Sequence, residues 1–413
     1  MAPWSRWLGV GAAVGIVCAL VPIVRGSVAL KTPISALSAV APEREEPQGP
    51  DLEGLDLLRL DIRASRVTTP LPGGRTAELT LDPLVQRTAI SQMKRYRVPE
   101  AGVVMIDVKT GEVLAYASHV TQGDKFDVNA RAEAPAASIF KIVTAAALVE
   151  RADLVHETEQ CYRGGKSRIS AEELRDDPER DKWCATLAIA MGRSLNVVFA
   201  RLAQKHLTPA ELSATGGAFG FGASVPFVVE NETSSIDIPN DPLEFARAAA
   251  GFWHTSLSPL AGALLAQTVA NAGVALEPRI VRFIEQDKKK IWEDKSEPHV
   301  LRRAMRAQTA NELRVMMEQT VPNGSAYKMF HDAKGRSFLP DIEVAGKTGT
   351  LTRHEANRHY TWFVGFAPAK KPEVAVAALV VNTPLWHIKG PHLARDVLRA
   401  YFAKQGKPGV SAP

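Results

Sequence analysis

The sequence predicts an α+β domain in which helices cover an antiparallel β-sheet, with an additional all-helical subdomain. Two apolar stretches rich in β-branched residues, 101–108 and 113–118, open the domain and are joined by a short polar turn. Three more strand-like stretches stand near the C-terminus, and helical stretches fill the chain between the two groups. Strands at both ends with helices inserted between them are typical of α+β domains.

The helices between the strands follow from local signals. Residues 135–150 predict a helix with Pro135 near its first turn, where a missing N–H is tolerated. A charged loop over 151–183 leads to a helical stretch, 185–204, that continues on both sides of Ser194. Further along, the sequence predicts a buried helical region over 243–273 with a break at Ser258-Pro259, a helix over 302–318, strands over 341–346, 360–366 and 373–382, and a terminal helix over 392–404.

The first thirty residues predict a membrane anchor. An uncharged run over 7–24 lies between Arg6 and Arg25, and its length is at the lower limit for crossing a bilayer. Small residues after the run leave cleavage open, but Arg25 intervenes and favours a retained helix. We therefore expect residues 1–30 to comprise a short N-terminal tail and a single transmembrane helix in the cytoplasmic membrane, with the rest of the chain outside it, in the periplasm.

Beyond the anchor, composition divides the chain into a tether and a folded domain. Residues 31–75 are rich in Pro, Glu, Asp and Arg, and predict an extracytoplasmic tether with one short ordered piece around 55–62. The folded domain is expected over 76–407. The whole chain is mildly basic, with a net charge of +5. The single basic run, 288–290, is typical of a solvated turn, so no nucleic-acid partner is predicted.

Cysteine and histidine usage bears on compartment and metal binding. Cys161 and Cys184 stand on either side of a polar loop and could pair in an oxidising compartment, although two free thiols are the alternative. The ten histidines contain no His-Glu-x-x-His, and the sequence predicts neither a metal nor another cofactor.

Ser138 is the strongest candidate nucleophile. The pattern Ser-x-x-Lys occurs three times, at Ser91, Ser138 and Ser325, so the pattern alone means little. Only Ser138 stands at the start of a strongly apolar helix. Lys141 lies on the same helical face, where its amine can take the hydroxyl proton. Unpaired N–H groups at the helix start also favour developing negative charge.

A second polar motif lies at the junction of two predicted helices. Ser194-Leu-Asn196 is the only Ser-x-Asn in the chain. The hydroxyl of Ser194 can relay a proton to a leaving amine, and the amide of Asn196 can hold a substrate carbonyl. An ordinary helix cap at Ser194 is the alternative interpretation.

A third motif, formed by Lys347, Thr348, Gly349 and Thr350, enters the predicted strand region near the C-terminus. A cation and two hydroxyls on an edge strand suit a substrate that ends in a carboxylate. Gly349 allows close approach of a substrate backbone, and the N–H of Thr350 could complete an oxyanion hole with the N–H of Ser138. An earlier Lys-Thr-Gly is only the turn of the opening hairpin.

The order and spacing of these motifs resemble those of penicillin-binding proteins and serine β-lactamases. The stretches 79–86, 103–115 and 257–274 also resemble parts of transpeptidase domains, so the resemblance covers 76–405. It implies that Ser138 attacks the penultimate D-Ala carbonyl of a peptidoglycan stem peptide and releases the terminal D-Ala. The acyl group then passes to an amine of a neighbouring stem, with Lys141 as the base. It further implies acylation of Ser138 by β-lactams, and cell-wall synthesis proteins as partners.

Three alternatives share the motifs. A D,D-carboxypeptidase would pass the acyl group to water instead of an amine. A β-lactamase would need a positioned base for that water, and no Glu in the context of the class A enzymes is identified. A non-catalytic β-lactam-binding scaffold or sensor is disfavoured because all motif side chains are intact. A D,D-transpeptidase is therefore the predicted function.

Overall fold

The computed structural model describes residues 50–121, 123–165 and 168–413. The predicted anchor over 1–30 and the first part of the predicted tether lie outside these residues. Within the described ranges, no helix is both long enough and apolar enough to cross a membrane.

The described residues form short strands near the N-terminal end and longer strands near the C-terminal end. The strands are β1 (Asp61–Ile62), β2 (Val67–Leu71), β3 (Arg75–Leu79), β4 (Glu100–Asp107), β5 (Val113–Val120), β6 (Glu159–Tyr162), β7 (Trp183–Thr186), β8 (Val274–Leu276), β9 (Val281–Gln286), β10 (Lys289–Glu293), β11 (Val300–Arg303), β12 (Ala345–Arg353), β13 (Arg358–Ala367) and β14 (Val374–Asn382). The helices are α1 (Pro83–Arg95), α2 (Lys141–Ala152), α3 (Leu187–Arg193), α4 (Asn196–His206), α5 (Pro209–Phe219), α6 (Pro242–Ala249), α7 (Pro259–Ala270), α8 (Ala307–Glu318), α9 (Tyr327–Phe330) and α10 (Gly390–Lys404).

The central sheet joins the two predicted groups of strands. Its order is β12-β13-β14-β4-β5, every pair is antiparallel, and β12 lies at one edge. Each face of the sheet packs against a separate hydrophobic core, and successive side chains of β4 point to opposite faces. Val104 packs on the face covered by α7, whereas Val103 and Met105 pack with α1 and α10. This alternation follows from the two-residue period of a strand. The prediction of an antiparallel sheet covered by helices is confirmed.

The helical subdomain is built around α2. Every residue from Lys141 to Val149 is buried, and the helix packs against α4, α5 and α8. The break predicted at Ser258-Pro259 is confirmed: α6 ends at Ala249 and α7 starts at Pro259, where Ser258 caps the helix by accepting the N–H of Ala261. The helix expected from residue 302 begins instead at Ala307, because the preceding residues pair with β8 as β11.

Residues 50–75 correct the prediction of a tether. They belong to the same folded unit as the rest of the described chain, and β1, β2 and β3 form a five-stranded sheet with β9 and β10. Val67, Leu71 and Ala77 are buried in the main core. Glu78 of β3 is half-buried and forms an ion pair with Arg66. These strands escaped prediction because they are short and contain threonine, proline and charged residues, although Thr68 and Thr69 are buried.

The charged loop predicted over 151–183 contains the hairpin β6–β7. Cys161 and Cys184 are directly opposed in this hairpin and form a disulfide, which decides between the two alternatives left by the sequence. Arg201 of α4 is fully buried and donates to the carboxylate of Asp181 at 2.6 Å and to the carbonyl of Cys161 at 2.9 Å. The hairpin is therefore cross-linked within itself and bound to α4.

We expect the double variant Cys161→Ser/Cys184→Ser to lose about 3 kcal/mol of unfolding free energy, because the cross-link no longer restricts the unfolded chain. Urea denaturation of the oxidised protein, followed by tryptophan fluorescence, measures the loss. Wild-type protein treated with reductant is the control and should unfold at the midpoint of the double variant. A variant that matched the oxidised wild type would contradict a stabilising disulfide.

Candidate active site

Ser138 lies in a single turn of 3₁₀ helix, Ala137–Phe140, that runs directly into α2. The turn is supported closely by the chain after α6. A Cβ atom on Gly251 would lie only 2.3 Å from the carbonyl oxygen of Ala137, and Gly251 also has a positive φ of 83°. On the other side, the indole N–H of the buried Trp362 donates to the carbonyl of Pro135 at 3.0 Å. The candidate nucleophile is therefore held between the helical subdomain and the sheet.

Lys141 is fully buried beneath Ser138. Its Nζ lies 2.9 Å from Ser138 Oγ, 2.7 Å from Asn196 Oδ1 and 2.5 Å from the carbonyl oxygen of Ala250. A neutral amine satisfies the same geometry by donating to the two carbonyl oxygens and accepting the serine proton. The sequence placed Ser138, Lys141 and Asn196 in one site, and the structure brings these three side chains together.

Lys347 links the other two motifs. Its Nζ is fully buried, and it donates to Ser194 Oγ at 2.8 Å and to the carbonyl of Thr348 at 2.9 Å. Ser194 ends α3 in a left-handed conformation, with a φ of 59°, and Leu195 precedes α4. The hydroxyl of Ser194 therefore faces Lys347 across the site. Its backbone also caps the C-terminal end of α3, so the helix cap and the site contact occur at the same residue.

The two lysines have strongly perturbed acidities. Burial lowers the pKa of Lys141 well below 10.5, and the positive charge of Lys347 lowers this pKa further. Burial alone lowers the pKa of Lys347 to about 7. Among the described residues, neither ammonium forms an ion pair with a carboxylate that would offset its desolvation. A neutral lysine amine beside the Ser138 hydroxyl, as a general base requires, is therefore accessible near neutral pH.

The third motif lies on the edge strand β12, next to the turn that contains Ser138. Gly349 lies against the 3₁₀ turn, since a Cβ at this position would be 3.2 Å from Cγ1 of Ile139. Thr348 is largely buried, whereas Thr350 is exposed on the strand. Among the described strands, β12 pairs with β13 alone, so its other edge can accept an extended peptide.

Ser325 is a site residue that the sequence analysis missed. Its hydroxyl lies 2.6 Å from Thr348 Oγ1, and its N–H donates to the carbonyl of Gly192 at 2.8 Å. The residue therefore joins the end of α3 to β12. In the sequence, Ser325 was only one of three Ser-x-x-Lys matches, and nothing near it indicates which strand it contacts. The preceding Gly324 packs against α3, since a Cβ there would lie 2.2 Å from the Gly192 carbonyl oxygen.

One group of potential metal ligands occurs among the described residues. Glu159, Cys161 and Cys184 bring their ligand atoms within 4.8 Å of one another. The two sulfur atoms are joined to each other in the disulfide, so neither is available as a thiolate. This group lies on the β6–β7 hairpin and does not include any of the residues around Ser138.

Comparisons with known proteins agree with this geometry. Residues 101–401 match the family of penicillin binding protein transpeptidase domains. Peptidoglycan D,D-transpeptidase PbpA of Mycobacterium tuberculosis is 27% identical, over 90% of this chain and 81% of its own length. The D,D-transpeptidase domain of a peptidoglycan glycosyltransferase from Eggerthella lenta has a TM-score of 0.66 and 26% identity, covering 80% of this chain and 83% of that one.

A third similar structure is the penicillin G acyl-enzyme complex of penicillin-binding protein A from M. tuberculosis. It has a TM-score of 0.63 and 22% identity, and the match covers 80% of each chain. At this identity the match shows a shared fold.

We expect the substitution Lys347→Met to raise the pKa of Lys141, because it removes the positive charge that helps to lower that pKa. The pKa should stay below 10.5, since the side chain remains buried. NMR titration of protein labelled with ¹³C at lysine Cε measures the change, with the signal assigned from Lys141→Met. Lys370→Met removes an exposed charge that pairs with Glu343 and is the control. An unchanged pKa in Lys347→Met would reject the electrostatic coupling.

Proposed function

Because the chain belongs to the family of penicillin-binding protein transpeptidase domains, we propose that it is a peptidoglycan D,D-transpeptidase whose nucleophile is Ser138. The observation that carries the assignment is the buried amine of Lys141, 2.9 Å from the Ser138 hydroxyl. Lys141 is the base in this proposal. Stem peptides ending in D-Ala-D-Ala are the substrate.

The stem peptide binds in an extended form along the free edge of β12. Its terminal carboxylate lies near Lys347, Thr348 and Thr350, which supply a cation and two hydroxyls. The amide of Asn196 holds a backbone carbonyl of the substrate, and Gly349 leaves room for the peptide. This places the penultimate D-Ala carbonyl next to Ser138.

Acylation begins when neutral Lys141 takes the proton of Ser138 as Oγ bonds to the carbonyl carbon. The N–H groups of Ser138 and Thr350 stabilise the oxyanion that forms. When the intermediate collapses, the C–N bond breaks and the terminal D-Ala leaves as an amine. The hydroxyl of Ser194, hydrogen-bonded to Lys347, supplies a proton to that amine and regains one from the lysine.

Deacylation transfers the peptide to an amine of a neighbouring stem. The amine attacks the Ser138 ester and gives up its proton to Lys347 through Ser194. The new peptide bond forms, and Lys141 returns its proton to Ser138 as the ester C–O bond breaks. A β-lactam acylates the same serine by opening its ring, so no leaving group departs and the ester persists. Carboxypeptidase and β-lactamase activity would each need water to outcompete the amine. In the described chain, no carboxylate is hydrogen-bonded to Ser138 or Lys141 to activate that water.

The proposal extends to location and partners. A retained helix over residues 1–30 would hold the domain at the periplasmic face of the cytoplasmic membrane, where its substrate is found. Other proteins of cell-wall synthesis are the partners expected for an enzyme at this position. The mildly basic net charge of +5 is compatible with an anionic wall or membrane surface.

We expect Ser138→Ala to reduce covalent labelling by a fluorescent penicillin by about a thousandfold or more, because the nucleophile is removed. Gel fluorescence after timed incubation measures the labelling. Ser91→Ala, which alters another Ser-x-x-Lys match on α1, is the control and should label normally. Persistent labelling of Ser138→Ala would reject the nucleophile.

We expect the wild-type protein to transfer a D-Ala-D-Ala stem peptide to an added D-amino acid, which mass spectrometry detects as an exchange product. Release of D-Ala with no exchange product would favour the carboxypeptidase instead.

We expect Ser325→Ala to lower kcat/KM for a D-Ala-D-Ala substrate by about tenfold, because the hydroxyl that orients Thr348 is lost. Ser325→Thr retains a hydroxyl and should recover most of the activity. Steady-state release of D-Ala measures both variants, and thermal unfolding checks that each is folded. Equal activity of Ser325→Ala and wild type would show that the contact has no role in substrate binding.

A further inference from the structure

A cavity adjoins the site at the Ser194–Asn196 segment. It has a volume of about 360 Å³ and is lined by Tyr162, Gly164, Gly165, Trp183 and residues 193–197. Ser194 and Asn196 therefore belong both to the proposed active site and to the wall of this cavity. A substrate held by Asn196 would reach the cavity directly.

Two aromatic rings form one wall. Tyr162 and Trp183 are paired across β6 and β7, with ring centroids 6.2 Å apart. Trp183 is 58% exposed, although it is a large apolar side chain. The Cys161–Cys184 disulfide joins the neighbouring positions of the same hairpin. An exposed aromatic pair on a cross-linked hairpin is a fixed apolar surface that offers a ligand contact area at little entropic cost.

The wall is also fixed relative to Asn196. Arg201, on the helix that begins at Asn196, is fully buried and binds Asp181 through two hydrogen bonds of 2.6 and 3.0 Å. It also donates to the carbonyl of Glu173 at 2.7 Å. Gly165 packs so closely on the same helix that a Cβ would lie 2.4 Å from Cβ of Val197. The cavity is therefore a built feature of the fold.

Among the lining residues that the structure describes, the cavity has one cationic group. Arg193 lies in its lining and is exposed, and its guanidinium forms no ion pair or hydrogen bond with any other described residue. The remaining lining is dominated by aromatic, aliphatic and glycine residues. A complementary ligand has an aliphatic body and an anionic end.

We propose that this cavity binds a stem-peptide side chain that has several methylene groups and ends in a carboxylate, as in diaminopimelate. The methylenes lie against Tyr162 and Trp183, and the carboxylate pairs with Arg193. This inference rests on the proposed function, because it names the side chain that the transpeptidase selects. The side chain can come from the stem that acylates Ser138 or from the stem that supplies the amine, and both sources have the same chemistry.

The first arm of the test concerns the acylating stem. The full-length protein is acylated by a penicillin with an adipoyl side chain and by its counterpart ending in a carboxamide, and the ratio of the two second-order rate constants is measured. We expect the carboxylate to react about fivefold faster in wild type and the ratio to fall to about one in Arg193→Gln. The ratio cancels any general effect of the substitution on folding or acylation. Arg59→Gln, an exposed arginine outside the cavity lining, is the matched control and should keep the wild-type ratio.

The second arm concerns the acceptor stem. The acyl-enzyme formed from a D-Ala-D-Ala peptide is offered stem peptides that contain either diaminopimelate or lysine, and the ratio of the two cross-linked products is measured in the same variants. A preference for the carboxylate that disappears in Arg193→Gln in either arm supports the proposal and identifies the source of the side chain. Ratios near one in both arms, or ratios that Arg193→Gln leaves unchanged, overturn it. Labelling of Ser138 by benzylpenicillin is recorded in parallel, so failure of the cavity proposal is distinguishable from failure of the proposed function.

Discussion

The site depends on two buried lysine side chains that have no carboxylate partner among the residues the structure describes. Lys141 and Lys347 are each surrounded by hydroxyl and carbonyl oxygens, which satisfy their hydrogen bonds without neutralising a charge. With a pKa of about 7, Lys347 destabilises the folded protein when it is charged. That destabilisation is present below pH 7 and is relieved as pH rises from 7 towards 10.5, where only the unfolded chain retains the proton. The fold therefore gives up stability to hold weakly basic amines beside two hydroxyls.

Three distant segments must meet for these amines to be buried. The 3₁₀ turn before α2 contains Ser138, the junction of α3 and α4 contains Ser194 and Asn196, and β12 contains Lys347. Contacts outside the motifs hold the segments in place: Trp362 binds the turn to the sheet, and Ser325 joins α3 to β12. The chemistry is carried by few side chains, but their positions depend on packing throughout the domain.

The sequence predicted the parts of this arrangement that local pattern determines. Ser138 was separated from the matches at Ser91 and Ser325 because an apolar helix follows it, and the opening hairpin was recognised from β-branched residues around a turn. Features that depend on distant contacts escaped prediction. The strands within 61–71 look polar because they contain Asp61, two buried threonines and Pro70. The contact of Ser325 with Thr348 requires two segments far apart in the chain to meet in space. The pairing of Cys161 with Cys184 likewise needed the register of the hairpin.

The unpaired edge of β12 has a consequence for self-association. A strand edge that accepts a foreign peptide also presents its N–H and C=O groups to another copy of the same strand, and such edges commonly nucleate aggregation. Here Lys347 of that strand is hydrogen-bonded to Ser194, so the junction of α3 and α4 lies against β12. A single extended peptide needs less room beside the strand than a second folded sheet, so this neighbouring segment hinders the sheet more than the peptide. The geometry that admits the substrate thus also protects the open edge from unwanted polymerisation.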